Sequence, residues 1–249
     1  MSNGILVITD SHYGWNRSKA DSLQNSVNET IEVIKSLGYN EPDKIILLGD
    51  IFDFWRSDID TIFNNFIDDI KYILDNKDNI IYIYGNHDIY LTKIFNKNEI
   101  KLLPHIIYNG VYFSHGFIDE IYYGFNKMDL ETYKRIAYIL STSRKGIKTL
   151  LSKVWYEYKL VSEKVGHNLP DEELCNLLHI LALKYGRSVI GHFHRYMLVS
   201  LDRINNSIAV SLAPHCNGFT YYLYKNKIIE INTNKSYERV INLRTSITP

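Results

Sequence analysis

Apolar positions along the chain change period several times, and each change marks an element. Ile5 to Thr9 is a short β-branched run ending at Asp10, the pattern of a buried strand. From Asp21, Leu23, Val27, Ile31 and Ile34 recur at helical spacing, with Gly38 where the residue after a helix cap belongs. Lys44 to Leu48 is a second buried strand, stopped by Gly49-Asp50. Ile59, Ile62, Phe63, Phe66, Ile67, Ile70 and Leu74 predict one amphipathic helix, and Asn79 to Tyr84 a third strand stopped by Gly85-Asn86. The order β-α-β-α-β predicts a parallel sheet with helices on its faces.

Ile106 to Ser114, interrupted by Asn109-Gly110, predicts a strand pair with a tight turn. Lys127 to Gly186 is almost entirely helical in pattern. Ile147, Leu150, Leu151, Val154, Trp155, Tyr158 and Val161 form one stripe. Leu174, Leu177, Leu178, Leu181 and Tyr185 form another, opened by Pro170-Asp171-Glu172 and closed by Gly186. Strands resume at 188–190, 208–212, 220–224 and 228–231. The pattern predicts one α/β domain over residues 1–249 with a helical insertion late in the chain.

Composition narrows the classes. The 28 Lys+Arg balance 28 Asp+Glu, so no basic field covers the whole surface for non-specific nucleic-acid binding. Cys175 and Cys216 lie far apart, which excludes a disulfide framework and fits a reducing compartment; a cytoplasmic location is expected. No window approaches the roughly 18 apolar residues of a membrane span, and peripheral membrane contact and oligomeric state stay open.

Polar clusters fall where strands end: Asp10-Ser11-His12, Gly49-Asp50, Gly85-Asn86-His87-Asp88, Ser114-His115-Gly116 and Gly191-His192-Phe193-His194. Loops at the carboxyl ends of parallel strands converge on one crevice, so these groups can meet. Asp, Asn and His offer oxygen and imidazole nitrogen, suited to Mn, Fe, Zn or Mg. Seven such side chains exceed one ion's needs but suit two ions sharing a carboxylate, and two metals about 3.5–4 Å apart clamp both oxygens of an in-line phosphoryl displacement. Taken singly, Gly-Asp also reads as a turn and helix N-cap, and Gly-Asn-His-Asp as a polar turn. Together, five of the nine His stand at the ends of apolar strands.

The ordered set Asp10-x-His12, Gly49-Asp50-x-x-Asp53, Gly85-Asn86-His87-Asp88, His115 and Gly191-His192-x-His194 resembles the calcineurin-like metallophosphoesterase superfamily. The resemblance implies a four-layer α/β/β/α sandwich with a dinuclear centre. Asp10, His12, Asp50 and His194 would hold one divalent ion, and Asp50, Asn86, His115 and His192 the other, with Mn2+ expected and Fe, Zn or Mg as alternatives. It further implies in-line attack on a phosphodiester or pyrophosphate by a metal-bridging hydroxide. His87 would protonate the leaving oxygen, with Asp53 orienting the imidazole and holding it charged. Asp53 also reads as a plain carboxylate at a helix N-terminus.

The run Leu47 to Trp55 and the segment Gly191 to Arg195 resemble the UDP-2,3-diacylglucosamine pyrophosphatases, which also carry a helical lid where residues 117–187 stand here. Those enzymes typically have Arg where this chain has His87. Residues 127–164 hold nine Lys/Arg against four Asp/Glu, a balance of +5 that suits a small or lipid-linked anionic phosphate substrate. The same stretch also reads as a solvated helix pair packed on the core. Arg17, Arg56 and Arg195 follow motifs closely and are the candidate phosphate contacts. His105, His167, His179 and His215 read as packing or surface residues. A metal-dependent nuclease of the double-strand-break repair type is the alternative, although the length leaves little room for further DNA-binding domains. A non-catalytic scaffold is disfavoured because no ligand position is lost.

Overall fold

The computed structural model of the chain describes residues 4–15, 22–96, 98–142, 169–201, 207–225, 227–232 and 237–242. Ile5–Ile8 (β1), Lys44–Leu48 (β2), Ile80–Ile83 (β3) and Leu102–Leu103 (β4) run parallel from the middle of the first sheet to one edge. Phe219–Tyr224 (β10), Lys227–Asn232 (β11) and Tyr237–Asn242 (β12) add antiparallel beside β1, giving the order β12-β11-β10-β1-β2-β3-β4. The second sheet contains His105–Tyr108 (β5), Val111–Ser114 (β6), Arg187–Ile190 (β7), Met197–Leu201 (β8) and Ser207–Ser211 (β9), in the order β5-β6-β7-β9-β8.

β1 is apolar throughout because both of its faces are covered. Leu6 and Ile8 point one way, into a core shared with Leu23, Val27 and Ile34 of helix α1 (Leu23–Ser36) and Ile70 and Ile73 of α3 (Ile67–Asp75), which follows α2 (Ile59–Asn65). Ile5 and Val7 point the other way, against Phe113, Val189 and Val210 of the second sheet. The outer face of that sheet packs Ile190 and Ala209 on Leu174, Leu177, Leu178 and Leu181 of the helix Asp171–Tyr185. The layers are therefore α/β/β/α, the expected sandwich.

The strand pair predicted at Asn109-Gly110 is the β5–β6 hairpin, with φ of 50° and 72° at the turn residues, as a type I′ turn requires. One predicted helix is two: the chain breaks at Phe66, which has φ −124° and ψ 26° and buries its ring against Tyr13 and Phe52. Asn64 and Asn65, weak helix formers, directly precede the break.

The segment 117–187, expected as a lid, divides three ways. After the short helix α4 (Leu91–Ile94), α5 (Phe117–Tyr122) and α6 (Leu130–Thr142) pack Phe117, Tyr133, Ala137 and Leu140 over Trp55 and Ile89, in the loops after β2 and β3. Residues 143–168, which carry the Ile147 to Val161 stripe and His167, lie outside the described residues. The helix Asp171–Tyr185, α7, is a layer of the sandwich. We therefore expect Leu181→Ala to cost about 2–5 kcal/mol of stability in urea denaturation. Leu183→Ala, exposed on the same helix, should stay within about 0.5 kcal/mol.

Candidate metal centre

The loops following β1, β2, β3, β6 and β7 meet at one end of the sandwich, where Asp10, His12, Asp50, Asp53, Asn86, His87, His115 and His192 are buried and His194 is partly exposed. The β1 and β2 loops are tied by backbone bonds from Asp10 N to Gly49 O (3.0 Å) and from His12 N to Asp50 O (2.9 Å). Three groups of possible ligands result: His12, Asp53 and His87 form one, and the other two carry the predicted metal ligands. In the first of those two, His194 Nε2 lies 3.1 Å from Asp10 Oδ1 and 3.1 Å from His12 Nε2. In the second, Asp50, His115 and His192 converge, with His115 Nε2 3.1 Å from Asp50 Oδ2. His115 Nε2 is also 3.9 Å from Asp10 Oδ1, so the groups adjoin. Asn86 is buried between Gly85 and His87, and its Oδ1 has no hydrogen-bond partner among the described residues.

This donor set fits divalent cations. His115 Nδ1 faces the Leu48 carbonyl at 2.8 Å and must donate to it, so a neutral ring turns its Nε2 lone pair toward the Asp50 carboxylate. Two acceptors at that distance need positive charge between them. Burial pulls the His115 imidazole down, but Asp50 and Asp10 outweigh it and push it up to about 10. His12 repeats the pattern: Nδ1 faces Asp53 Oδ2 at 3.1 Å, and the carboxylates overcome burial to raise the ring. In turn, burial opposes ionisation of Asp10 and Asp50, yet the facing imidazoles hold both below the usual carboxylate range. The pocket thus binds protons where a hard cation would sit.

Asp53 organises the rest. Its Oδ1 accepts from Trp55 N (3.2 Å) and Arg56 N (3.0 Å) and lies 3.0 Å from His87 Nδ1. Its Oδ2 meets His12 Nδ1 and, at 2.5 Å, Arg56 Nη1. It therefore caps its own turn and also orients two imidazoles. At His87, burial outweighs Asp53 and Asp50 and draws the ring down to about 4. Asp53 sets the orientation of the ring and opposes the effect of burial on its charge. Trp55 stacks on that ring, centroids 4.2 Å apart.

The three arginines fare differently. Arg56 is committed to Asp53 and lies over the Trp15 ring at 3.8 Å. Arg195 reaches back to Asp171 at the start of α7, at 2.7 Å. Arg17 lies outside the described residues. His215 is buried as a fastener, its N–H donating to Thr9 O at 2.8 Å and its Nδ1 3.1 Å from Thr220 Oγ1. His105 is exposed on β5, and His179 Nδ1 bonds Cys175 O within α7 at 2.8 Å.

Two buried acids carry work that the motifs alone did not reveal. Asp88 accepts from Gly85 N (2.7 Å), Ile51 N (2.8 Å) and Tyr82 Oη (2.7 Å), locking the β2 loop to the β3 loop. Glu120, on α5, places Oε2 3.2 Å from His192 Nε2. An acid embedded in the apolar helix 117–122 is the signal that could have drawn attention to it.

The backbone here is strained. Among the described residues, seven non-glycine positions have positive φ, and five of them are Asp10, His12, Asp50, His192 and His194. That region costs L-residues of order 1 kcal/mol each and persists where surrounding structure enforces it. Two glycines allow the close approach. A Cβ on Gly49 would overlap the His115 ring, and one on Gly85 would overlap the Asp50 carboxylate.

A sequence profile of the calcineurin-like phosphoesterase family matches residues 4–196, a span containing every motif above. The chain belongs to this family. Membership implies a metal-dependent phosphoesterase with a dinuclear divalent site, and the two adjoining donor groups could hold its ions. Among solved structures it is similar to a dimetal phosphatase from Danio rerio, at 12% identity over 97% of this chain and 99% of that one, with a TM-score of 0.44. It is also similar to the phosphoesterase Yfce from E. coli, at 10% identity over 97% and 100% of the two chains, with a TM-score of 0.42. A metallophosphoesterase from Sphaerobacter thermophilus aligns at 9% identity over 99% and 90%, with a TM-score of 0.39. No curated protein sequence matches the chain. No described helix is long and apolar enough to cross a membrane.

For this phosphoesterase, Asp88→Ala would strand three buried donors, each costing about 1–3 kcal/mol. We expect a fall in denaturation midpoint of that order and weaker metal binding, measured by chemical denaturation and metal analysis of the same preparation.

Proposed function

We propose that the protein hydrolyses a phosphodiester or pyrophosphate bond in a small or lipid-linked anionic substrate, using two divalent ions, Mn2+ in the first place. The observation that carries this reading is the pair of adjoining groups, Asp10/His12/His194 and Asp50/His115/His192, each with its ligand atoms within 4.8 Å of one another. Asp50 would join them: its Oδ1 accepts from the His87 backbone N–H at 2.8 Å and its Oδ2 faces His115, and this carboxylate would serve both ions. The buried Asn86 amide oxygen would complete the second set. When bound, such ions polarise the phosphoryl oxygens and supply a nucleophile near neutral pH.

The chain's own residues do the remainder. Asp53 holds His87 by Nδ1 and so directs Nε2 to the Asp50 side of the centre, 4.0 Å from Oδ2. An anionic phosphoryl group approaching Nε2 would favour the charged ring, and His87 would then deliver the proton that an alkoxide leaving group needs. Trp55 stacked on the ring and Phe117 beside His115 and His192 keep water off the rear of the imidazoles. The basic stretch 127–164 favours an anionic substrate, and the Leu47–Trp55 resemblance nominates a nucleotide-linked lipid pyrophosphate.

The test is reconstitution. Metal-stripped protein is loaded singly with Mn2+, Zn2+, Mg2+ or Fe2+ and assayed on a monoester, a diester, a nucleotide-sugar pyrophosphate and single-stranded DNA. Turnover of the diester or pyrophosphate with Mn2+ is expected. Turnover of DNA alone would select the nuclease, and turnover of nothing would sink the catalytic reading. His87→Ala should keep its metal and lose about 10²–10⁴-fold in kcat on a poor alkoxide leaving group. Unchanged turnover on that substrate would remove the role given to His87.

A further inference from the structure

We infer that Glu120 is a positioning residue of the metal centre, holding His192 by Nε2 so that Nδ1 is the nitrogen offered to the ion. The inference rests on the dinuclear reading above and adds a residue from the helical segment to it. Glu120 Oε2 lies 3.2 Å from His192 Nε2, and both side chains are almost completely buried, at 2% and 1% exposure. Among the described residues, His192 is the only ion-pair partner Glu120 has, and Oε1 has no hydrogen-bond partner at all. A carboxylate is expensive to bury without compensation. Here the compensation is an imidazole that belongs to the second donor group.

The frame around Glu120 is rigid. Its N–H donates to Gly116 O at 2.9 Å, and its carbonyl accepts from Phe125 N at 2.9 Å and Asn126 N at 3.1 Å. The neighbouring Asp119 is taken up by Tyr112 Oη, at 2.8 Å, and by Ser114, both on β6. That division pins α5 to the sheet through one acid and turns the next acid onto His192. Phe117 packs on the other side, 6.3 Å from the His192 ring and stacked with Tyr133 of α6. A carboxylate behind a ligating imidazole fixes its tautomer and raises its basicity, and removing one typically costs 10–100-fold in metal affinity or activity. Glu120 acts on the ion through His192 and does not itself ligate.

Mn2+ titration of the metal-stripped protein by calorimetry, with electron paramagnetic resonance of the loaded samples, tests this. Wild type should take two Mn2+ per chain and show an exchange-coupled pair. Glu120→Gln should keep the first ion at unchanged affinity, bind the second about 10–100-fold more weakly, and show isolated Mn2+ at matched loading. Glu120→Asp, which keeps the charge one methylene short, should recover part of the loss and carries the comparison if the Gln variant does not fold. Wild-type affinity for both ions in these variants, even with a lowered melting temperature, would mean that Glu120 only fastens α5, and would overturn the inference. Failure of the dinuclear reading is seen separately, as wild type binding fewer than two Mn2+.

Discussion

Three carboxylates, those of Asp10, Asp50 and Asp53, are buried together at the ends of β1 and β2, and the site is built around meeting their charge. Burying that much negative charge is tolerable only if positive charge and hydrogen-bond donors are brought to it. His115 and His194 approach from the second sheet, His12 and His87 from the first, and Arg56 closes on Asp53. The two-sheet sandwich is what makes this supply feasible, because the loops of both sheets open at the same end. The Ile5/Val7 face of β1 packed against Phe113, Val189 and Val210 holds those loops in register.

Much of this was legible in the sequence because strands and polar clusters alternate so cleanly. A run such as Lys44 to Leu48 followed by Gly49-Asp50 announces both the strand and the edge at which its chemistry sits. The ligand candidates were legible for the same reason. Features that depend on what lies across the fold were not. Glu120 and Asp88 are acids whose role appears only with the distances to His192, Ile51 and Tyr82. Arg56 and Arg195 stand beside motifs in sequence, and their pairing with Asp53 and Asp171 appears only in space. β8 and β12 escaped notice because edge strands carry weak patterns: β8 is mostly half-buried, and β12 places Glu238 and Arg239 in mid-strand. The stripe of α7 was visible, yet a stripe does not say which sheet it covers.

The helical segment after His115 is therefore less an appendage than its position in the sequence suggests. α5 and α6 form an apolar wall whose members touch the centre at separate points: Phe117 against His115 and His192, and Glu120 against His192. Trp55, from the β2 loop, joins the same wall and stacks on His87. Rings that are walled in this way lose rotational freedom before any ligand arrives, which is how a site of several loops keeps one geometry.

The left-handed backbone at Asp10, His12, Asp50, His192 and His194 has an evolutionary consequence. Five such residues store about 5 kcal/mol, comparable to the whole net stability of a modest domain. Glycine at any of these positions would adopt the same conformation without the steric cost, though with a greater loss of chain entropy and of the side-chain bonds made there. In a descendant that no longer needs the ions, the backbone strain favours replacing these residues, while the buried bonds and charges they balance oppose it. The strain is thus kept in place by the same contacts that the chemistry requires.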